Sequence, residues 1–366
     1  MSKPRIIALY LPQYHPFPEN DEWWGKGFTE WTNVARAKPL FKGHYQPKIP
    51  ADLGFYDLRL PIVREQQAAL AREAGIEGFC YWHYWFGNGK QLMAEIIDEV
   101  IATGKPDFPF CLGWANHSWY AKNWNSKDVS GKNRMLIEQT YPGNDDIRKH
   151  YEYALNAFKD SRYIKIGNKP FFMIFIADDI PDNFISLWNK WAIEDGFDGI
   201  YFVGNVDADA DANVYISKGF SAVIKDRIAK QRRAYSPRYN HSLINFYTII
   251  KNKLLNYPRH IYKYSDCIKY YFDELEDSKD TIIPCVIPNF DHSARSGKFA
   301  YIVKDSTPEL FKKYLYKVFN VVSRKDNKVI ILRSWNEWGE GNYMEPDLKF
   351  GKKYIQVMRD VMDKYK

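Results

Sequence analysis

The chain has 366 residues, 45% of them apolar, so it can bury a large core. No apolar run approaches the roughly 20 residues of a membrane-spanning helix, which excludes an integral helical membrane protein. The net charge of +7 fits a solvated surface and leaves room for an anionic partner without requiring one. Aromatic residues make up 17% of the chain, which indicates stacking surfaces in addition to a packed core.

Cysteine usage and the N-terminal stretch bear on the compartment. Cys80, Cys111, Cys267 and Cys285 are scattered without a Cys-x-x-Cys pair, and three of them lie in apolar runs. The stretch "MSKPRIIALYLPQYH" lacks the apolar core and cleavage site of a signal peptide. We therefore expect buried free thiols and a cytoplasmic protein.

Eight short apolar runs have the nearly continuous hydrophobicity of strands that are buried on both faces. They are 5–11, 76–82, 108–114, 170–176, 199–204, 220–225, 282–287 and 328–334. Helical patterns lie between most of them, at 58–75, 89–105, 146–160, 182–196 and 306–325. The last pattern opens with a capping Ser306-Thr307 and a first-turn Pro308.

Alternating strands and helices predict an α/β fold with parallel strands, and eight units close into a (β/α)8 TIM barrel. A doubly wound sheet is the alternative, but its glycine-rich turn is absent after the first strand, in "LPQYHPF". Long loops follow strand 1, at 12–56, and strand 6. We expect one barrel domain over 1–366, with an insertion at about 226–280.

Barrel active sites lie at the C-terminal ends of the strands, and aromatic, amide and imidazole side chains collect there in this chain. A single such residue is more often structural, but the recurrence on at least five strands favours a concave site for a polyhydroxylated ligand. The strand-end residues that we predict to bind substrate are Tyr10, His15, Trp82, His83, Tyr84, Trp114, Asn116, His117, Asn205, Trp335 and Asn336.

Glu337 and Glu340 follow the last apolar run in "SWNEWGEG", where glycines disfavour a regular helix. No Lys or Arg occurs between Arg333 and Lys349, so a solvated ion-pair role is disfavoured. Glycosidic cleavage needs one carboxyl to protonate the departing oxygen and another to act as base, nucleophile or charge stabiliser. Neighbouring tryptophans would desolvate one carboxyl and raise its pKa. The alternative role is a loop-stabilising acid.

The sequence gives only weak indications of a metal site. "DADAD" at 207–211 offers the Asp-x-Asp pattern of metal-dependent nucleotide-sugar transferases, but it precedes a helical pattern, where acids favour the helix dipole regardless. Metal-ligating histidine motifs are absent, so no metal or cofactor is expected.

The basic stretch 225–263 holds ten Lys and Arg against one Asp. It favours a solvated insertion that could contact an anionic glycan or membrane surface; no nucleic-acid motif is present.

Several long motifs resemble the WbsX-type proteins of the glycoside hydrolase family 99-like group, which are related to endo-α-mannosidases and endo-α-mannanases. They are "ALYLPQYHPFPENDEWWGKGFTEWTNVARAKPLFKGHYQPKIPADLGFYDLR", "GFCYWHYWFGNGK", "GWANHSW" and "SWNEWGEGNYMEPD". The resemblance covers most of the chain and is weakest in the insertion at 226–280. It implies a (β/α)8 barrel.

The resemblance also implies roles for the acids of Asn336-Glu337-Trp338-Gly339-Glu340. Glu340 would be the general acid/base, and Glu337 would assist attack by the substrate's own 2-hydroxyl, with retention of configuration. Trp31 and Glu345 lie in the resembling stretches and complete the predicted substrate-binding set; Glu345 would support the pair.

Three functions stay open at this point. We expect a retaining glycoside hydrolase that acts on an α-linked mannose-like glycan, with an oligosaccharide or polysaccharide as substrate. WbsX-type proteins have also been labelled glycosyltransferases of surface polysaccharide (O-antigen or capsule) assembly, which is the alternative. A non-catalytic glycan-binding barrel is the third.

Overall fold

The computed structural model describes residues 3–121, 134–235, 250–252, 254 and 257–365. Its centre is a sheet of eight parallel strands, one for each predicted apolar run. The strand order around the sheet is β6-β5-β4-β3-β2-β1-β8-β7. These barrel strands are β1 (Arg5–Tyr10), β2 (Gly78–Trp85), β3 (Phe110–Trp114), β4 (Lys169–Ile174), β5 (Tyr201–Asp207), β6 (Ala222–Asp226), β7 (Cys285–Val286) and β8 (Val329–Leu332).

The sheet curls until its two edge strands nearly meet. Residues just before β7 run beside β6: the Val223 N–H donates to the Thr281 carbonyl, and the Ile283 N–H donates to the Val223 carbonyl, both at 2.8 Å. Val223 and Ile282 form a parallel bridge. The protein is therefore a nearly closed eight-stranded parallel barrel, and the predicted TIM-barrel architecture is confirmed.

Helices surround the barrel, and their ends follow the sequence signals. Gly75 and Gly104 adopt left-handed conformations directly after two helices, as C-terminal caps commonly do. The Thr307 hydroxyl accepts from the Leu310 N–H before a helix that starts at Pro308. The described helices are α1 (Pro18–Trp24), α2 (Glu30–Arg36), α3 (Pro61–Ala74), α4 (Ala94–Thr103), α5 (Asn144–Phe158), α6 (Phe184–Glu194), α7 (Ala212–Ser217), α8 (Arg227–Tyr235), α9 (Tyr264–Cys267), α10 (Ser293–Ser296), α11 (Pro308–Val322) and α12 (Lys353–Asp363).

The long loops after β1 and β6 carry structure of their own. The first contains α1 and α2 before α3 begins. The second contains α8 and α9, and part of it lies outside the described residues. Shorter strands decorate the barrel at Gln91–Leu92, Trp119–Tyr120, Met135–Ile137, Lys165–Ile166, His260–Lys263, Phe290–Asp291, Tyr301–Lys304, Asn336–Glu337 and Asn342–Tyr343.

Much of the aromatic content packs between the barrel and its helices. Trp188 of α6 is fully buried and contacts Phe172 of β4 at a ring-centroid distance of 4.8 Å. All four cysteines are free thiols, and Cys285 is the one that is only partly buried. Among the described residues, no helix combines the length and apolar character that a bilayer crossing requires.

Candidate active site at the C-terminal end of the barrel

A cavity of about 170 Å³ opens at the C-terminal ends of the strands. All eight barrel strands, or the residues directly after them, contribute to its wall. Its lining includes Leu9, Leu11, Trp82, Tyr84, Ala115, His117, Trp119, Met173, Phe175, Asn205, Lys225, Asp226, Arg227, Cys285, Ile287, Arg295, Ile331, Arg333, Ser334, Glu337 and Glu340. Barrel enzymes carry their active sites at this end.

The chain after β8 makes a tight turn that presents Glu337 and Glu340 to this cavity. Asn336 anchors the turn, because its amide accepts from the Leu11 N–H at 2.7 Å and donates to the Leu11 carbonyl at 3.0 Å. Trp338–Glu340 form one 3-10 turn, and Gly341 follows in the left-handed region with φ 55°. The expectation that this segment is not a regular α-helix is confirmed.

One guanidinium links three carboxylates. Arg295 of α10 donates from Nη2 to Glu337 Oε1 at 2.8 Å and from Nη1 to Glu340 Oε1 at 3.1 Å. Its Nε donates to Glu30 Oε2 at 2.9 Å. Glu30 belongs to α2 in the loop after β1, so two loops that are far apart in sequence meet at the pair. The pair therefore has a basic partner that hydrogen-bonds to both acids, although the stretch 334–348 holds no Lys or Arg of its own.

Gly339 makes this meeting sterically feasible. A Cβ at position 339 would overlap the Glu30 carboxylate and approach Arg295 Nε to 2.8 Å. The glycine in the middle of the turn thus leaves room for a buried ion pair directly against the backbone.

The surroundings shift the pKa values of the two carboxyls in opposite directions. Burial raises the pKa of Glu337 to about 8, against the opposing effect of Arg295. Burial acts to raise the pKa of Glu340, but the guanidinium charges of Arg295 and Arg333, with His292 beside them, outweigh burial and lower it. These opposite shifts favour one proton on the pair near neutral pH, with Glu337 as its favoured site.

Aromatic groups line a second part of the cavity, the aromatic wall. Trp82, Tyr84 and Trp119 come from β2 and the segment after β3, and Phe175 follows β4. Gly113 of β3 permits this, because a Cβ there would approach the Trp82 ring to 3.3 Å. Burial lowers the pKa of His117 to about 4, so its imidazole is neutral at pH 7. This wall offers ring faces and uncharged hydrogen-bonding groups.

The cavity brings together six of the fifteen residues that the sequence placed in the site. They are the acids Glu337 and Glu340 and the predicted substrate-binding residues Trp82, Tyr84, His117 and Asn205. The other nine are not part of its lining.

Several of those nine face the helices and loops around the barrel. The Tyr10 hydroxyl donates to Gln67 of α3 at 2.6 Å, and His83 stacks with residues of α5. His15 contacts Glu95 of α4 at 2.7 Å. The Trp114 indole donates to the Trp85 carbonyl at 2.9 Å.

The remaining five support strand ends and loops. Asn116 exchanges hydrogen bonds with the backbone of Ile176, and Trp335 is fully buried, while Asn336 anchors Leu11 as described above. Trp31 donates to the Tyr56 carbonyl at 2.7 Å and packs on Trp338. Glu345 accepts from the Trp338 indole at 2.6 Å, which fixes that ring behind the turn.

The acids of the Asp-x-Asp pattern, which indicated an alternative metal site, contact other groups of the protein. Asp207 and Asp209 both bind Arg233 of α8, and Asp209 also contacts Lys230. Asp211 caps α7 through the Asn213 N–H. Within the ranges that the structure describes, no cluster of three or more His, Cys, Asp or Glu residues could hold a metal ion.

The described part of the basic stretch is also partly used inside the protein. Arg227 binds Glu276 and Asp277, and Lys225 binds Glu276. The predicted contact of 225–263 with an anionic glycan or membrane surface stays a prediction, because 236–249, 253, 255 and 256 lie outside the described residues.

Sequence reasoning missed Glu30 and Arg295. Each is a single charged residue in a loop, and only the fold reveals that both contact the acidic turn. The usable signal was indirect: Glu30 lies in the long aromatic loop after β1, and Arg295 lies in the loop after β7, and both loops follow C-terminal strand ends.

The fold and the cavity define a class: a (β/α)8-type barrel protein with a paired-carboxylate site at its C-terminal face. Within that class, the chain belongs to the WbsX family, because the family model described as "Glycosyltransferase WbsX" matches residues 6–358. This confirms the resemblance that the motifs indicated.

Curated relatives are 29% identical to the chain over 375 residues. They are the uncharacterized WxcX proteins of two strains of Xanthomonas campestris pv. campestris, and the match covers 98% of this chain and 49% of each relative. The chain therefore spans about half the length of the curated relatives it matches.

Solved structures share the fold at low identity. A glycoside hydrolase-like protein aligns with 13% identity and a TM-score of 0.60, over 99% of this chain and 94% of its own. A GH99 endo-α-mannosidase from Bacteroides thetaiotaomicron aligns with 14% identity and a TM-score of 0.56, over 99% of this chain and 97% of its own.

Proposed function

We propose that this protein is a retaining glycoside hydrolase that acts on an α-linked mannose-like glycan, with Glu337 and Glu340 as its catalytic residues. The observation that carries the proposal is the carboxylate pair on one turn, inside a cavity at the C-terminal end of the barrel and tied to one arginine. The similarity of fold to a GH99 endo-α-mannosidase supports the choice of sugar.

The chemistry needs one proton on the pair. Glu340 donates a proton to the glycosidic oxygen while Glu337 accepts the proton of the substrate's 2-hydroxyl, whose oxygen attacks the anomeric carbon. Water then opens the resulting 1,2-anhydro sugar: Glu340 takes a proton from the water, and Glu337 returns its proton to O2. Two displacements at one carbon retain the configuration.

The pair has the required number of protons, but the opposite pKa shifts favour Glu337 as the site of the proton. The first step therefore needs the proton to move from Glu337 to Glu340. Arg295 contacts both groups, so a small change in its position can alter the balance between them. Because the two groups titrate as a unit, a pH–rate profile will report the pair.

Leaving-group dependence tests these roles. Glu340→Gln should reduce cleavage of an α-mannobioside about 10²- to 10⁴-fold, because the poor leaving group needs protonation. The same variant should retain far more activity on α-mannosyl fluoride, whose departure needs little acid. Glu337→Gln should lose activity on both substrates. Glu152→Gln, an exposed change on α5, is the matched control.

Unchanged hydrolysis of both substrates by Glu340→Gln would contradict the proposal. The reverse pattern, with Glu337→Gln rescued by fluoride, would exchange the two roles. Folding of each variant is checked by circular dichroism and its thermal midpoint.

The alternative function is glycosyl transfer in surface polysaccharide assembly, which the name of the family model favours. It predicts that calorimetry detects binding of a nucleotide sugar. If the Asp-x-Asp pattern serves the donor, that binding is lost on joint replacement of Asp207 and Asp209. Hydrolysis of glycosides without any nucleotide affinity would decide against it.

We also propose that residues 1–366 form a single barrel domain with an insertion at about 226–280, and that it acts in the cytoplasm, where its free thiols would stay reduced. Limited proteolysis that releases a stable fragment smaller than the barrel would contradict the first point. Fractionation of the native host tests the second.

A further inference from the structure

Arg333 is the cavity-lining cation whose hydrogen-bonding capacity is least used. It follows β8 directly, and its side chain is 24% exposed, toward the cavity. Its nearest carboxylate oxygen, Glu340 Oε2, lies 3.9 Å from Nη2, which is beyond hydrogen-bond distance. Its guanidinium also lies 5.9 Å from the centre of the Phe290 ring.

The other cations of the lining are engaged. Arg227 contacts Glu276 and Asp277 at 2.9 and 3.0 Å, and Lys225 contacts Glu276 at 3.3 Å. Arg295 donates to three carboxylates, as described above. Among the residues that the structure describes, no acceptor lies within hydrogen-bond distance of the Arg333 guanidinium.

The nearby acids balance the charge of Arg333 without binding its donors. Glu340 Oε1 accepts from Arg295, and Asp226 Oδ1 accepts from the Ala229 N–H at 3.2 Å. A guanidinium carries five N–H donors in a planar fork. Leaving such a group without acceptors at a partly buried position is costly, so an occupant of the cavity is the natural source of acceptors.

We propose that the sugar bound in this cavity carries an oxyanion, either carboxylate or phosphate, and that Arg333 binds it. Carboxylate and phosphate each present two oxygens to the planar fork and make charge-assisted bonds that sugar hydroxyls cannot match. This inference rests on the proposed function, because it specifies the substrate of the same site.

The position of Arg333 beside Glu340 restricts where the oxyanion sits. It lies close to the reacting bond rather than at a distant end of the glycan. A carboxylate there belongs to a uronic acid within the glycan. A phosphate there belongs to a phosphorylated sugar.

Paired ligands test the proposal by calorimetry on the whole protein. The neutral member is methyl α-mannoside. The charged members are methyl α-mannosiduronate for the carboxylate and mannose 6-phosphate for the phosphate. We expect at least one charged member to bind at least tenfold tighter than the neutral one. The identity of that member distinguishes the two sources.

Variants assign the preference to Arg333. Arg333→Met should abolish the preference, measured as the ratio of the affinities for the charged and the neutral ligand. Arg333→Lys should retain part of it, since the charge stays and the fork is lost. Arg148→Met, on the outer surface of α5, is the matched control and should change neither affinity.

Failure of the inference and failure of the proposed function are distinguishable. Equal binding of neutral and charged ligands, or a preference that survives in Arg333→Met, overturns the inference and leaves the hydrolase proposal intact. If no ligand binds, neutral or charged, both are overturned. If Arg333→Met does not fold, the loss of preference in Arg333→Lys decides.

Discussion

The two walls of the cavity are built in opposite ways. The aromatic wall comes from neighbouring strands, with Trp82 and Tyr84 two residues apart on β2 and Trp119 and Phe175 after β3 and β4. The charged wall consists of Arg295, Arg333 and the Glu337–Glu340 turn, and Glu30 binds Arg295 from behind it, so three separate loops meet there. Ring contact is thus a local property of strand ends, whereas the protonation state of the pair depends on distant segments.

A substitution in the charged wall should have the largest effect on turnover and stability. Arg295→Met leaves three carboxylates without their shared cation, so turnover should fall at least 10²-fold. The free energy of unfolding should drop by about 3–5 kcal/mol. Steady-state kinetics and urea unfolding measure both, with Arg148→Met as the control. Near-normal turnover in folded Arg295→Met would show that the guanidinium does not organise the pair.

The pH dependence of stability should report the buried proton of Glu337. Its pKa is raised to about 8 in the folded protein, whereas the unfolded chain ionises near its ordinary value of 4.5. Between these values the folded state binds more protons, so the free energy of unfolding should fall as pH rises from about 5 to 8.

The expected size of that fall is on the order of a few kcal/mol. Glu337→Gln should flatten it, and the difference between variant and wild type isolates this group from other titrations. Urea unfolding at pH 5 and pH 8 provides the four values. Parallel slopes for the two proteins would show that Glu337 is ionised throughout.

Breaking the aromatic wall should have a smaller and different effect. Trp82→Ala removes a ring face that would stack on sugar, worth about 1–2 kcal/mol of buried apolar surface. KM should therefore rise about tenfold, with kcat changed little. A matching loss in kcat would mean that the ring acts on the reacting atoms.

The smallest effect is expected outside both walls. Asp207→Asn with Asp209→Asn removes exposed ion pairs to Arg233 and Lys230, far from the carboxylate pair in sequence. Hydrolysis and thermal midpoint should stay within experimental error, because such pairs are strongly screened by solvent. A large loss of turnover would indicate that this segment contributes to the active site.

Much of the fold could be read from the sequence, because buried parallel strands are continuous apolar runs and their helices end at glycine caps such as Gly75. The position of Glu337 and Glu340 followed from the end of the last run. It was harder to predict which side chains at the strand ends line the cavity. Leu9 and Leu11 line the cavity while Tyr10 between them faces α3, and Trp82 and Tyr84 line it while His83 faces α5.

This alternation follows from the two-residue period of a strand. One residue known to point into the barrel would therefore have shown which of its neighbours point inward and which point outward. Arg295 and Glu30 could not be found in this way. Neither lies on a barrel strand, and the contact that joins them spans 265 positions in the chain.

The proposed function requires one sugar ring to react between Glu337 and Glu340. A crystal of Glu340→Gln soaked with an α-mannobioside tests this requirement, since the variant should bind substrate without cleaving it. We predict a pyranose ring whose anomeric carbon faces both side chains, with Trp82 against a ring face. A sugar seated elsewhere, such as the smaller cavity beside His44 and Asp291, with the pair left free, would contradict the account.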